Sequence, residues 1–198
     1  MNTIINYTKP TVKKYLVANG YTYLGSGVYQ QAFKENSTGF CYKIGRESSG
    51  LERYIQVAQE IESEYLAPVF EHDSFEVEQK RHKHTHTTKW IQYRTELLEG
   101  VKVRSKLYKD FKNAVDTADS IRSHLLIQGR PNKKKIINRI IDWYDADTNP
   151  LFEIETFYDF IKTMIKKRKR NHLDVHEGNF MIRTQGNKST IVMVDPYC

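Results

Sequence analysis

The amino-acid sequence predicts an α+β protein, with strands concentrated in its first half and helices in its second. Two patterns carry that expectation. Before Gly100, short runs rich in Tyr, Val, Phe and Ile alternate with polar residues and are separated by Gly, Asn and Pro. From Val101 onward, apolar residues instead recur every three or four positions, the spacing of one helix face. A chain of 198 residues is long enough for one sizeable domain or for two small lobes sharing a cleft.

Thr8, Lys9 and Pro10 form a helix start, Val12, Tyr15 and Leu16 its apolar face, and Asn19-Gly20 its stop. The stretch YTYLGSGVYQQAFKENSTGFCYKIG then reads as three strands, joined by a glycine turn and by a polar turn at Asn36 to Gly39. That is an antiparallel meander. Leu51, Tyr54, Ile55, Ala58 and Ile61 mark a helix from Gly50 to about Glu64. After Pro68, VFEHDSFEVEQ and TKWIQYRTELL read as two further strands, with the polar segment RHKHTHTT between them. Three helices follow Val101: near Lys106 to Leu126, near Lys133 to Tyr144, and from Pro150 or Leu151 to about Lys169. The last ends in KKRKR, a run that suits the negative end of a helix dipole. MIR and TIVMVD flank the turn QGNKS as a closing hairpin. The expected division is residues 1–99, five strands with one principal helix, and residues 100–198, a helical half with the hairpin.

The net charge of +7 is concentrated in the middle of the chain. Between Val101 and Arg170 there are 17 Lys/Arg against 9 Asp/Glu, and elsewhere 14 against 15. A basic region of this kind favours acidic partners: a protein surface, a nucleotide or nucleic acid. No stretch approaches the roughly 18 consecutive apolar residues of a membrane span, and MNTIINYTKP lacks the build of a signal peptide. A soluble cytoplasmic protein is expected. Cys41 and Cys198 stand alone, without CxxC spacing, so neither a disulfide nor a structural zinc is expected.

Gly25 and Gly27 flank Ser26 between two strands, where bare backbone N–H groups can approach a phosphate. By itself this is also the pattern of an ordinary glycine hairpin. Lys43, in CYKIG on the third strand, could hold its ammonium over nucleotide phosphates, and the following helix could supply the carboxylate that steadies it. Glu52 is the first choice for that carboxylate and Glu60 the second; an exposed helix face explains either equally well. In HLDVHEGNFMIR, Asp174 could orient an attacking hydroxyl, and the amide oxygen of Asn179 is a hard ligand suited to magnesium. The strand IVMVD delivers Asp195, a second candidate ligand, at its C-terminal end.

These motifs resemble the protein-kinase-like fold, and in particular the small Ser/Thr kinases of bacteriophages, among them the early host-shutoff kinases of short-tailed coliphages. The resemblance runs from YLGSGVYQQAFK through CYKIG to HLDVHEGNFMIR and IVMVDP, nearly the whole chain. It implies a minimal two-lobed kinase, with a five-stranded antiparallel N-lobe and a truncated helical C-lobe, binding ATP and Mg2+ between them. By this resemblance Gly25, Ser26 and Gly27 cover the phosphates and Lys43 contacts them, with Glu52 as its partner. Asp174 is the catalytic aspartate, and Asn179 and Asp195 hold magnesium. TELLEG falls where the family hinge receives adenine, which brings Glu96 and Leu98 into the nucleotide site.

The sequence also departs from the family pattern. Gln30 occupies the third glycine position, Leu173 replaces the arginine of the HRD motif, and His176 stands where many protein kinases have lysine, as in the aminoglycoside-phosphotransferase branch. The DFG-like motif reads Asp195-Pro196-Tyr197, and the sequence stops one residue later, before any activation segment or APE motif. A substrate is therefore expected to be held by the helices between Val101 and Arg170, by a partner, or by a second copy of the chain.

The activity implied is phosphoryl transfer from Mg-ATP to Ser or Thr hydroxyls, on host proteins in the cytoplasm of a phage-infected bacterium or on the chain itself. The alternatives are a catalytically silent, kinase-derived protein that sequesters a host factor, and a small-molecule phosphotransferase. Three signals weigh less. His82, His84 and His86 alternate as a metal site would, but interleaved lysines favour a solvated hairpin tip. Lys133 to Lys135 and Lys166 to Arg170 could touch nucleic acid, although acidic protein docking fits them better. Trp90 and Trp143 read as core or hinge-packing aromatics.

Overall fold

A computed structural model describes residues 8–81, 84–127, 132–144 and 146–198. Those residues form five α-helices, a five-stranded antiparallel sheet and a two-stranded hairpin, the α+β class the sequence predicts. They divide into two units: 8–48 with 68–97, and 49–67 with 98–198.

The first unit opens with α1 (Lys9–Ala18), capped by the Thr8 hydroxyl and carrying Pro10 in its first turn. Asn19 and Gly20, the latter at φ +88°, end it. Next come β1 (Tyr21–Ser26), β2 (Gln30–Glu35) and β3 (Cys41–Arg46), followed after the second unit's first segment by β4 (Val69–Arg81) and β5 (His84–Thr95). The order across the sheet is β1-β2-β3-β5-β4, with every neighbouring pair antiparallel. Val12 and Leu16 of α1 pack against Phe33, Ile44, Val77 and Trp90 from the sheet. Each such side chain contributes about 1.5–3 kcal/mol by leaving water. The β4–β5 hairpin is longer than expected: Arg81 pairs with His84, so most of the polar segment is strand rather than loop. A strand needs only its alternating inner face to be apolar, and toward its tip even that requirement lapses.

The second unit begins with α2 (Ser49–Glu60) and continues after the first unit's second segment with α3 (Tyr108–Ile127), α4 (Lys133–Tyr144) and α5 (Ile154–Lys167). The sequence-based boundary at residues 99 and 100 groups α2 with the strands, whereas its contacts bind it to the second unit. Arg53 Nε donates to the Lys167 carbonyl and the Tyr54 hydroxyl to the Ala67 carbonyl. A Cβ at Gly50 would strike the carbonyl of Tyr197. Helix α2 ends four residues before Glu64 because Ser63 turns the chain, its hydroxyl accepting from Tyr65 N. Helix α5 starts at Ile154 rather than at Pro150 or Leu151, since Asn149 Oδ1 accepts from Leu151 N and the Glu153 carboxylate caps the helix proper. Its face of Phe157, Tyr158, Phe160, Ile161 and Met164 is buried. Lys169, at φ +56°, breaks the helix at the basic run.

The hairpin β6 (Phe180–Gln185) and β7 (Lys188–Met193) closes through Gly186-Asn187, with Gly186 at φ +60° as a tight hairpin turn requires. Leu66 bridges β7 in parallel and Glu99 bridges β6 antiparallel. Trp90 is buried as expected, but Trp143 is 59% exposed, its ring near Arg139, His124 and Tyr144 rather than in a core. No described helix is long and apolar enough to cross a membrane.

Candidate active site

The second unit brings together the residues of HLDVHEGNFMIR and IVMVDPYC. Backbone pairing does this first. His172 and Cys198 exchange N–H···O bonds, Leu173 bridges Tyr197, and Asp174 N donates to Pro196 O at 2.8 Å. On the other side of the loop, Val194 N donates to Asn179 O at 2.9 Å, extending the hairpin register by one pair. Asp174 and Asn179 are thereby each tied to the segment that carries Asp195. Leu173 is buried, and Arg122 Nη1 donates to its carbonyl at 3.2 Å.

Side chains complete the cluster. Asn179 Nδ2 donates to both the backbone oxygen and Oδ2 of Asp174, each at 3.0 Å. His176 Nε2 lies 3.2 Å from the same Oδ2, and its Nδ1 accepts from Gly178 N at 3.0 Å. Burial, with the carboxylates of Asp174 and Asp195 adding to it, pushes the Cys198 thiol above its ordinary value; both carboxylates are within electrostatic reach of that terminus. Because Asn179 spends its amide nitrogen on Asp174, its amide oxygen is left for a cation. An amide oxygen with the Asp195 carboxylate is a donor set that fits magnesium, an ion that keeps several waters and takes few protein ligands.

The first unit holds the other expected residues. Lys43 pairs with Ala32 on one side and Tyr93 on the other, and its ammonium stands 5.8 Å from the Tyr93 ring centroid. Gly25 follows a bulge at Leu24, Ser26 pairs with Gln31, and Gly27 N donates to Gln30 O at 2.9 Å. No atom would meet a Cβ at Gly25 or Gly27, so the outer side of this loop is open. Gln30, at the third glycine position, accepts the Tyr93 hydroxyl at 3.0 Å, a structural use that a glycine lacks. Lys9 of α1 donates to the carbonyls of Gly27 and Val28 at 2.6 and 2.8 Å.

Glu52 sits in the first turn of α2, partly buried, and Glu60 in its last. Glu60 is engaged within the second unit: Lys167 Nζ is 2.8 Å away and Arg53 4.0 Å, and Lys167 draws its carboxyl below the usual value. Glu96 lies just beyond β5; Leu98 packs with Ala67, Met181, Val192 and Val194, and Glu99 exchanges backbone bonds with Ile182. His82 lies outside the described residues, and among those described no three His, Cys, Asp or Glu side chains form a metal cluster.

Sequence reasoning passed over two contacts. The signal for His176 was its position two residues after Asp174 and two before a glycine. Nothing local marks Lys9, which is 18 residues from Gly27. No protein family matches this sequence, and no curated protein matches it.

Proposed function

We propose that this chain is a kinase-like phosphotransferase that moves the terminal phosphate of Mg-ATP to Ser or Thr hydroxyls of proteins. The observation that supports it most directly is the Asp174–Asn179 pair, bonded side chain to side chain and anchored by backbone pairing beside Asp195. In the reaction the acceptor oxygen bonds to the terminal phosphorus, and the bond from that phosphorus to its bridging oxygen breaks. ADP leaves with the electron pair, and the hydroxyl proton passes to the Asp174 carboxylate. Magnesium, when held by Asn179 and Asp195, would neutralise phosphate charge. Lys43 and the glycine loop supply the cationic and backbone contacts that phosphates need. Glu52, Glu96 and Leu98 are assigned supporting roles toward Lys43 and the adenine. The acceptors are host proteins of a bacterial cytoplasm, or the chain itself.

The test is incubation of the purified chain with Mg2+ and gamma-labelled ATP, with and without bacterial lysate, beside Asp195→Ala. Label on the chain or on a lysate protein that is lost in the variant supports the proposal. Absence of any label from folded wild-type protein sinks it.

A second reading, a binding protein that sequesters an acidic host factor, is favoured by one observation: Lys134, Lys135, Arg139 and the exposed Trp143 share one side of α4. It predicts that inhibition of the factor survives both Asp174→Asn and Asp195→Ala.

A further inference from the structure

His176 is the one group of the cluster for which phosphoryl transfer, as derived above, has no use. Its side chain is 55% exposed, yet both ring nitrogens have a partner. A neutral imidazole carries a single N–H. Nδ1 accepts from Gly178 N at 3.0 Å, so the proton resides on Nε2, 3.2 Å from Asp174 Oδ2. Gly178 leaves room for this ring: a Cβ there would come within 2.8 Å of His176 Cε1 and 3.0 Å of Nδ1, so a side chain would push the ring aside. Gly178 therefore lets the imidazole lie over the turn that ends at Asn179.

Two donors, His176 Nε2 and Asn179 Nδ2, thus converge on the same carboxylate oxygen. Among the described residues no donor reaches the other oxygen, Oδ1, and the Asp174 side chain is 38% exposed. We infer that His176 is a positioning residue, which fixes the rotation of the Asp174 carboxylate and so makes Oδ1 the oxygen that receives the acceptor hydroxyl. This rests on the phosphoryl-transfer reading, in which Asp174 takes that proton. A carboxylate held by Asn179 alone can still turn about its Cβ–Cγ bond; a second donor on the same oxygen removes that freedom, and orientation of this kind acts on the chemical step more than on nucleotide binding.

The experiment has two arms, run on the full chain. In the first, labelling rates with gamma-labelled ATP are measured against ATP concentration for wild type, His176→Ala, His176→Gln and Gly178→Ala, each normalised to folded protein. His176→Ala is expected to lower kcat about tenfold with the KM for ATP little changed. His176→Gln, whose amide N–H reaches the place of Nε2, restores most of the rate. Gly178→Ala, which keeps the histidine but displaces its ring, lowers kcat as His176→Ala does. Wild-type kcat in His176→Ala, or loss in His176→Gln equal to that in His176→Ala, overturns the proposal.

The second arm needs no activity. Imidazole nitrogen NMR of the wild type is expected to show His176 protonated at Nε2, with that resonance displaced in Asp174→Ala. A proton on Nδ1, or a resonance indifferent to Asp174→Ala, overturns the proposal. If wild type labels nothing, the kinase reading falls by itself, and the position of this proton still decides whether His176 holds Asp174.

Discussion

Asn179 holds Asp174 by two bonds from one amide nitrogen, to the backbone oxygen and to Oδ2, both at 3.0 Å. The geometry gives Asn179 two separable duties, bracing the aspartate and offering an oxygen to a cation. Asn179→Ala is expected to destabilise the second unit by about 1–2 kcal/mol. It also raises the magnesium needed for half-maximal transfer by about 10- to 100-fold. Asp174→Asn, by contrast, is expected to abolish transfer with little change in melting temperature. A magnesium titration of labelling, run beside thermal melts of the two variants, checks both.

Two glycines separate folding from function. A Cβ at Gly27 meets nothing, whereas one at Gly50 meets the Tyr197 carbonyl and the Cys198 backbone. Gly27→Ala is expected to leave stability within about 0.5 kcal/mol and to raise the KM for ATP. Gly50→Ala costs about 1–3 kcal/mol by overpacking. Urea unfolding and ATP titration of both variants distinguish the two effects.

Lys9 fastens the glycine loop from outside it, through the carbonyls of Gly27 and Val28. Those two bonds hold the turn that Gly27 N also closes by donating to Gln30 O. Lys9→Ala is expected to raise the KM for ATP a few-fold while global stability and kcat hold. An unchanged KM would remove the loop-holding role.

Glu35 carries a pH signature in the first unit. Its carboxylate accepts from Thr38, Tyr21 and Arg94 at 2.5, 3.0 and 2.8 Å. The Thr38 bond, helped by Tyr21 and Arg94 and opposed by burial, draws its carboxyl below the ordinary 4.5. Folding lowers this value, so the stabilisation is complete above pH 4.5 and is lost as pH falls through the folded value. Glu35→Gln is expected to cost about 2 kcal/mol at pH 7. Denaturant curves at neutral and acid pH should show the gap between variant and wild type narrowing as the medium becomes acid.

Tyr197 gives the opposite sign. Its ring is buried, its hydroxyl donates to the Met164 carbonyl at 3.0 Å, and burial raises its phenol well above the ordinary 10.0. The folded value exceeds the unfolded one, so this contribution is intact below pH 10 and declines as pH rises beyond it. Tyr197→Phe is expected to cost about 1 kcal/mol at pH 7 and to lose stability less steeply than wild type in alkali. Parallel melts from neutral to alkaline pH measure that difference in slope.

Much of the fold was legible in contiguous residues. Thr8 and Pro10 opened α1 and Asn19-Gly20 closed it, Lys133–Tyr144 appeared with both ends as read, and the first three strands lay where alternation put them, while the fifth began at His84 and ended at Thr95 rather than running from Thr88 to Leu98. The candidate site was legible only as a set of types and spacings: Asp174 and Asn179 are five apart and their bond is local, so a short stretch could announce it. The ends of α2 and α5 were misjudged because Ser63, Asn149 and Glu153 redirect the backbone through side-chain bonds that periodicity does not encode. Helical period alone could not reveal which unit α2 joins, nor that Trp143 faces solvent.

The sequence by itself therefore determined the α+β class, the element order and the chemical types in the cluster, because turn chemistry and hydrophobic period act over a few neighbouring residues. Only the tertiary structure decided that Arg53 anchors α2 on α5, that Lys9 holds the glycine loop, that Lys167 occupies Glu60, and that His176 shares Oδ2 of Asp174 with Asn179. Three of those contacts join residues far apart in the chain, and the fourth depends on the rotation of a ring over Gly178. Such contacts exist only after the core has packed, when burial fixes which polar groups can still reach a partner.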